Sequence, residues 1–331
     1  MNASQGECFT WLITGGAGFI GSHLVERLLA DGHTALVVDD LSTGSLKNLA
    51  HVESNARLKF VQADVRDAEV LDRLAARSQV MVHLAAAVGV QLIIEAPVRT
   101  IEVNVLGTQA VLEAGLRHGN RVLLASSSEV YGKGHTIPFC EDDDVLLGPT
   151  SRNRWSYAAS KMLDEFLALA YQHERGLPVV PFRLFNTTGP RQTGRYGMVV
   201  PRLVRQALSG QALTVFGDGC QSRCFCDVRD VVEAILGLAT HPAAPGRVYN
   251  IGGTDEISMI SLAQEILNVT GSRSPVQLIP YEQAYAPGFE DMQRRVPNTD
   301  RIRKLLNWQP RRSLRETLGA VRDDLRGEMK Q

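Results

Sequence analysis

Tyr157 and Lys161 stand four residues apart in "RWSYAASK", a spacing that puts both side chains on one face of a helix. A phenol is a weak base at its free pKa of about 10, and a neighbouring ammonium favours the phenolate. Such a pair can take a proton from an alcohol. The spacing alone is common, and its weight comes from context. Thirty residues earlier, "ASSSEVYG" ends an apolar run in Ser127, a hydroxyl able to meet the same alcohol, followed two residues on by the carboxylate of Glu129.

An alcohol that loses its proton to a base can also lose hydride, and the start of the chain offers a place for the acceptor. "WLITGGAGFIGSHLVERLL" sets Gly15, Gly18 and Gly21 between a strand pattern and a helix pattern, with Phe19 and Ile20 in the same turn and expected at the cofactor. The first glycine allows the tight turn and the second lets backbone approach a pyrophosphate. The third lets helix pack on strand, with phosphate at the helix N-terminus. Asp39 closes the second strand 18 residues after Gly21, where an acid bonds the adenosine ribose hydroxyls and repels a 2′-phosphate. The cofactor expected is therefore NAD rather than NADP. Asp40, Ser42, Thr43 and Gly44 of "DDLSTG" continue that edge, and Asp64 and Val65 of "QADVRD" are expected near the adenine. Leu84, Ala85 and Ala86 of "HLAAA" are small enough for the cofactor to pass close to backbone.

The elements that must position these residues follow from periodicity. Strand patterns at Phe9–Thr14, Thr34–Asp39, Leu58–Gln62, Val80–Leu84, Arg121–Ser126 and Val179–Arg183 alternate with helix patterns at Ser22–Asp31, Val70–Arg77, Val98–His118 and Tyr157–Arg175. That order predicts an α/β fold, a Rossmann doubly wound parallel sheet covered on both faces. Residues 1–183 are expected to form the dinucleotide-binding domain, joined by parts of 225–253. Residues 184–331 mainly form a smaller C-terminal α/β cap. The later part of the chain reads as a loop at Gly189–Gly197, helices at Met198–Ser209, Val228–Ala239, Ser261–Thr270 and Leu314–Leu325, and strands at Leu213–Phe216 and in "VYNIGG", with "GDG" a turn.

Composition bounds the partners. A formal net charge of −1 gives no electrostatic reason to expect nucleic acid or an anionic membrane. "MNASQGECF" lacks the basic start and apolar core of a signal peptide, and no apolar run approaches spanning length. Five cysteines, an odd number in a long chain, do not suggest a disulfide framework, so a reducing cytoplasm is expected. Cys220, Cys224 and Cys226 are clustered, but no fourth ligand is near and "SRCFCDV" alternates like one strand with Cys224 and Cys226 on the same face. No metal site is expected.

Together "TGGAGFIG", "SSSEVYG", "YAASK" and "GDGCQSRCF" resemble the extended short-chain dehydrogenase/reductases that modify nucleotide sugars, over about residues 9–325. The resemblance implies Tyr157 as catalytic base, Lys161 as its helper and holder of the nicotinamide ribose, and Ser127 as the hydroxyl bonded to the sugar's C4 oxygen. It makes Asn104 of "VNVLGT" a support for the lysine and Asn186 of "LFNTTGPR" a substrate contact. Arg223 reaches the diphosphate, for which a guanidinium fork is suited, and Val215 and Phe216 pack the nucleoside. It also implies a homodimer through the two long helices.

Once C4 is a ketone, three outcomes compete: return of hydride to the other face, loss of the C6 hydroxyl, or loss of carbon dioxide when C6 is a carboxylate. Dehydratases of the family carry an Asp-Glu pair where this chain has Ser128-Glu129. "SEVYG" resembles the UDP-glucuronic acid decarboxylases, and "GFEDMQRRVPNTDRIRKLLNWQP" resembles the bacterial decarboxylase domain of lipid A modification. There Arg295 aligns with a catalytic arginine that donates a proton to C5 or orients the carboxylate. Met198 departs from the arginine usual at its position, and Asn298 from an aspartate. The reading is UDP-glucuronate decarboxylation first, 4-epimerisation of UDP-glucose or UDP-glucuronate next, and 4,6-dehydration third. An NAD-binding sensor is the non-enzyme alternative, but such relatives lack the tyrosine or lysine retained here.

Overall fold

The structure, a computed structural model, describes residues 8–89, 96–134, 136–194, 198–284 and 292–329. Its sequence-coded β-α alternation forms a parallel sheet of seven strands among the described residues. They are β1 (Thr10–Thr14), β2 (Thr34–Asp39), β3 (Leu58–Gln62), β4 (Val80–His83), β5 (Arg121–Ser127), β6 (Val179–Leu184) and, arriving late from the cap region, β11 (Tyr249–Ile251). The order is β11-β6-β5-β4-β1-β2-β3, so winding reverses between β1 and β4. Doubly wound sheets open a crevice at that reversal, outside the carboxyl ends of the strands.

Alternation within a strand serves both layers. Trp11, Ile13, Ala35 and Val37 face the helices Phe19–Ala30 and Val228–Thr240, while Leu12, Leu36 and Val38 face Ala68–Ala75, Pro97–His118 and Ser156–Arg175. These residues are all 1% exposed or less, and burial on both faces fixes the register of the strands.

The cap has its own core. Leu203 and Val204 of helix Val199–Leu208, Leu262 and Ile266 of Met259–Thr270, and Leu318 and Val321 of Leu314–Glu328 pack together. Its strands are short: β7 (Thr187–Thr188) pairs with β10 (Cys226–Asp227), β8 (Leu213–Phe216) with β13 (Val276–Ile279), and β9 (Ser222–Cys224) lies between β12 (Glu256–Ser258) and β14 (Arg294–Arg295). The pairing of β14 with β9 is parallel and sets Arg295 beside Arg223.

Three expectations shift. The first helix begins at Phe19 rather than Ser22, because Gly18 is its cap and the glycine turn runs straight into it. "SRCFCDV" is not one strand: the chain changes sheet at Phe225, where Gly253 packs against the Phe225 carbonyl, leaving buried Cys224 on β9 and buried Cys226 on β10. Helix Asp300–Leu306 was not foreseen. Of the expected loop Gly189–Gly197, residues 195–197 lie outside the described residues, as do 1–7 of the N-terminal stretch and 288–291 of the segment resembling the decarboxylases.

Candidate active site

A cavity of about 480 Å³ runs along the crevice, from the glycine turn to the cap, within the range of small-molecule and cofactor sites. At one end Gly15 adopts φ 71°, and a Cβ there would meet the Ala85 backbone nitrogen at 2.7 Å. Only glycine lets β1 turn this close to the end of β4. Helix Phe19–Ala30 starts without a side-chain cap and with no acid in its first turn, so its first N–H groups face the cavity beside Gly18, Phe19, Ile20 and Gly21. Asp39, buried at the end of β2, accepts from the Ala17 N–H at 3.0 Å and the Leu41 N–H at 2.8 Å. Burial raises its carboxyl above the ordinary value.

Most of the other residues expected at this end also line the cavity: Asp40, Thr43, Asp64, Val65, Leu84, Ala85 and Ala86. Asp64 is engaged bidentately by Arg66, at 2.9 and 2.6 Å. Ser42 binds the Asp40 carboxylate through Oγ at 2.6 Å, and Gly44 packs against Asp39. Asn104 sits behind the wall, fully buried, accepting from the Ala87 N–H at 2.9 Å and donating to Ser160 Oγ at 3.0 Å.

At the middle of the cavity lie Ser127, Tyr157 and Lys161. Ser127 ends β5 and caps the short 3-10 turn Ser128–Tyr131, accepting from the Glu129 N–H at 3.3 Å. The Tyr157 hydroxyl is hydrogen-bonded to Ser127, while burial, and then the charge of Glu129, push its phenol well above the usual value. Lys161, one turn on, is buried and donates to Asp164 Oδ2 at 3.2 Å.

Glu129 is the electrostatic centre. Burial alone would raise its carboxyl, but the Arg154 guanidinium first, and then Arg295 and Arg223, hold it at about 2. Arg154 hydrogen-bonds Glu129 Oε2 directly, and Arg295 Nη1 lies 3.6 Å from Oε1. The three arginines and Glu129 all line the cavity and are all buried or nearly so. Toward the cap, Asn186 takes a positive φ of 36° and donates to the Cys224 carbonyl at 2.9 Å. Val215 and Phe216 line the far wall with Met198, and Arg202 stacks on the Phe216 ring at 4.4 Å.

Sequence reasoning missed two residues here. Arg154 stood in the quoted "RWSYAASK", three before Tyr157, and its charge beside an acid-bearing turn was the available signal. Ser128 was read only as a missing Asp. Its Oγ is buried in the cavity wall and has no hydrogen-bond partner among the described residues, an arrangement that a ligand polar group would satisfy. Tyr131 is structural: fully buried, it donates to Asn250 Oδ1 at 2.8 Å and stacks on Phe139.

Residues 11–252 match the NAD dependent epimerase/dehydratase family. The chain belongs to that family. Among relatives of the chain, UDP-N-acetyl-alpha-D-glucosaminuronate decarboxylase of Bacillus cytotoxicus is 42% identical, over 94% of this chain and 97% of its own. UDP-glucuronic acid decarboxylase 1 of Danio rerio is 36% identical, over 93% and 70%. A solved UDP-glucose 4-epimerase of Thermotoga maritima is 29% identical with a TM-score of 0.86, over 97% of this chain and 99% of its own. The chain is thus an enzyme, and NAD is its cofactor. The open helix start and the buried Asp39 fit that dinucleotide, since one offers N–H donors to phosphate and the other a carboxylate to ribose hydroxyls.

Proposed function

We propose that this chain decarboxylates a UDP-linked uronic acid. The observation that carries the reading is the set of three guanidiniums, Arg154, Arg223 and Arg295, gathered about the single carboxylate of Glu129. A diphosphate, which any UDP-sugar carries, would answer Arg223; Arg154 and Arg295 then exceed Glu129 by one positive charge, which a sugar carboxylate balances and a neutral sugar does not. The absence of an Asp at Ser128 argues against dehydration, which needs an acid for the C6 hydroxyl.

NAD, when bound, supplies the hydride acceptor for C4. Tyr157 takes the C4 hydroxyl proton as that carbon is oxidised, while Ser127 bonds the same oxygen. In the resulting β-keto acid the C5–C6 bond breaks, carbon dioxide leaves, and the electron pair passes to the C4 oxygen as an enolate. Ser127 and Tyr157 offer that oxygen hydrogen bonds while a proton returns to C5, and Tyr157 then gives its proton back to the C4 oxygen as the hydride returns to C4, leaving a pentose lighter by carbon dioxide alone. Glu129, ionised across the physiological range, fixes Arg154 and Arg295 in place for the substrate carboxylate. The sheet side of the cavity serves NAD and the cap side serves the nucleotide.

The relatives' names differ at the sugar C2, which bears a hydroxyl in one and an acetamido group in the other, so both are tried. Purified protein with NAD is incubated with UDP-N-acetylglucosaminuronate, UDP-glucuronate and UDP-glucose, and the products are weighed. Loss of about 44 Da from a uronate, the mass of carbon dioxide, is expected. A new isomer of unchanged mass would instead support the 4-epimerase reading, which the loss of an arginine at Met198 favours.

The homodimer is proposed on the outward apolar side chains of the two packed long helices. Val98, Ile101 and Leu106 lie on one, and Leu163 and Phe166 on the other. Phe166, 64% exposed, is the largest. Phe166→Glu is expected to give a monomer in sedimentation at micromolar concentration where the unaltered chain sediments as a dimer; two monomers would end this proposal. A reducing cytoplasm is proposed on five unpaired cysteines.

A further inference from the structure

Tyr157, Lys161 and Asp164 stand at i, i+4 and i+7 of helix Ser156–Arg175 and share one face. Lys161 is 2% exposed and Asp164 1%. Among the described residues, Asp164 is the ion-pair partner of Lys161, and its charge also bears directly on the Tyr157 phenol, raising it. We propose that Asp164 is a positioning residue for the Tyr157–Lys161 pair: its buried carboxylate draws the ammonium along the helix and screens its charge from the phenol. The proposal rests on the reading of Tyr157 as the base.

The physical case is one of field shape. A lone ammonium one turn from a phenol acts on it as a full charge, favouring phenolate. An ammonium backed by a carboxylate acts as a dipole, whose field falls off faster. In the dry interior neither water nor salt blurs the difference.

The other groups facing the trio come from every packed element. Glu165, on the same helix, bears on Asp164, and the Thr108 hydroxyl of helix Pro97–His118 reaches it too. His83 of β4, which burial first and then Lys161 hold neutral with its imidazole lowered to about 3, bonds Thr108 and Thr14. Glu129 and Arg154 act on Tyr157 from the turn opposite. Among the acids of the described residues, Asp164 is the one that touches Lys161. Burial lifts the Asp164 carboxyl, against the pull of Lys161.

The test follows the ionisation of Tyr157 in the NAD-loaded full chain carrying 13Cζ-tyrosine, with Tyr157→Phe assigning the resonance. Asp164→Asn, nearly isosteric, is expected to lower the titration midpoint by about one pH unit, a tenfold change in acid dissociation. The acid limb of the kcat/KM profile should move the same way. Asp164→Ser should repeat the shift, so a folding defect in one variant does not decide the matter. Coincident or raised midpoints, or no ionisation of Tyr157 in any of these proteins while they stay folded, would overturn the proposal. The resonance needs no turnover. An error in the proposed substrate would therefore leave the shift intact, and a purely structural Asp164 would lower the melting temperature without it.

Discussion

Tyr157→Phe is expected to lower kcat by about 10²–10⁴-fold, the range a positioned acid–base group supplies, with UDP affinity unchanged. The variant removes one oxygen and little else. Ser127 keeps its bond from the Glu129 N–H, and the aromatic ring keeps its place in the wall. The same structure sets the pH dependence. Burial and the nearby Glu129 charge raise the Tyr157 phenol above its ordinary value, so below that value the group is protonated and cannot accept. Activity should therefore rise with pH along the acid limb, and that limb should vanish from whatever residual rate the phenylalanine variant retains. Single-turnover measurement of C4 oxidation checks this by the absorbance of reduced cofactor. A kcat within tenfold of the unaltered enzyme would remove Tyr157 from the role.

What the sequence disclosed, and what it hid, follows the range of the interactions. Tyr157 and Lys161 are readable because their relation is local, one helical turn. The glycine turn and Asp39 are readable because strand–turn–helix imposes their spacing. The sheet itself follows from long apolar runs. In the cap, β7, β9, β10, β12 and β14 are two or three residues each, too short for any period to emerge. Arg295 came only through resemblance, since a pairing between β14 and β9 crosses some seventy residues of chain. Arg154 and Asp164 were hidden for another reason. A charged residue at a helix start or in an "-DE-" pair reads as a solvated face, and only the fold shows Arg154 and Asp164 to be 5% and 1% exposed beside Glu129 and Lys161.

Arg154→Met carries the second large effect, because it takes one partner from a nearly buried ion pair. Arg154 and Glu129 have side chains 6% and 16% exposed. Losing one member of such a pair costs about 3–5 kcal/mol, and Arg295 at 3.6 Å places the cost toward the lower end. In the unaltered protein the Glu129 carboxyl, at about 2, is depressed from its ordinary 4.5. The stability it contributes is fully present above 4.5 and is lost as pH falls toward about 2. Without Arg154 the carboxyl loses the largest of the charges that hold it down and rises, though Arg295 and Arg223 still act on it, so the variant is penalised most where Glu129 is ionised. The melting-temperature deficit should be largest near neutrality and narrow steadily on acidification through that same window. Function should part along the same line: if Arg154 holds the sugar carboxylate as proposed, affinity for a UDP-uronate should fall well beyond that for UDP-glucose. A deficit independent of pH would show that Arg154 does not hold Glu129 ionised. Equal losses for the two ligands would detach it from uronate recognition. Arg154→Lys, which keeps the charge but not the planar fork, should recover the pH dependence of stability more fully than the affinity.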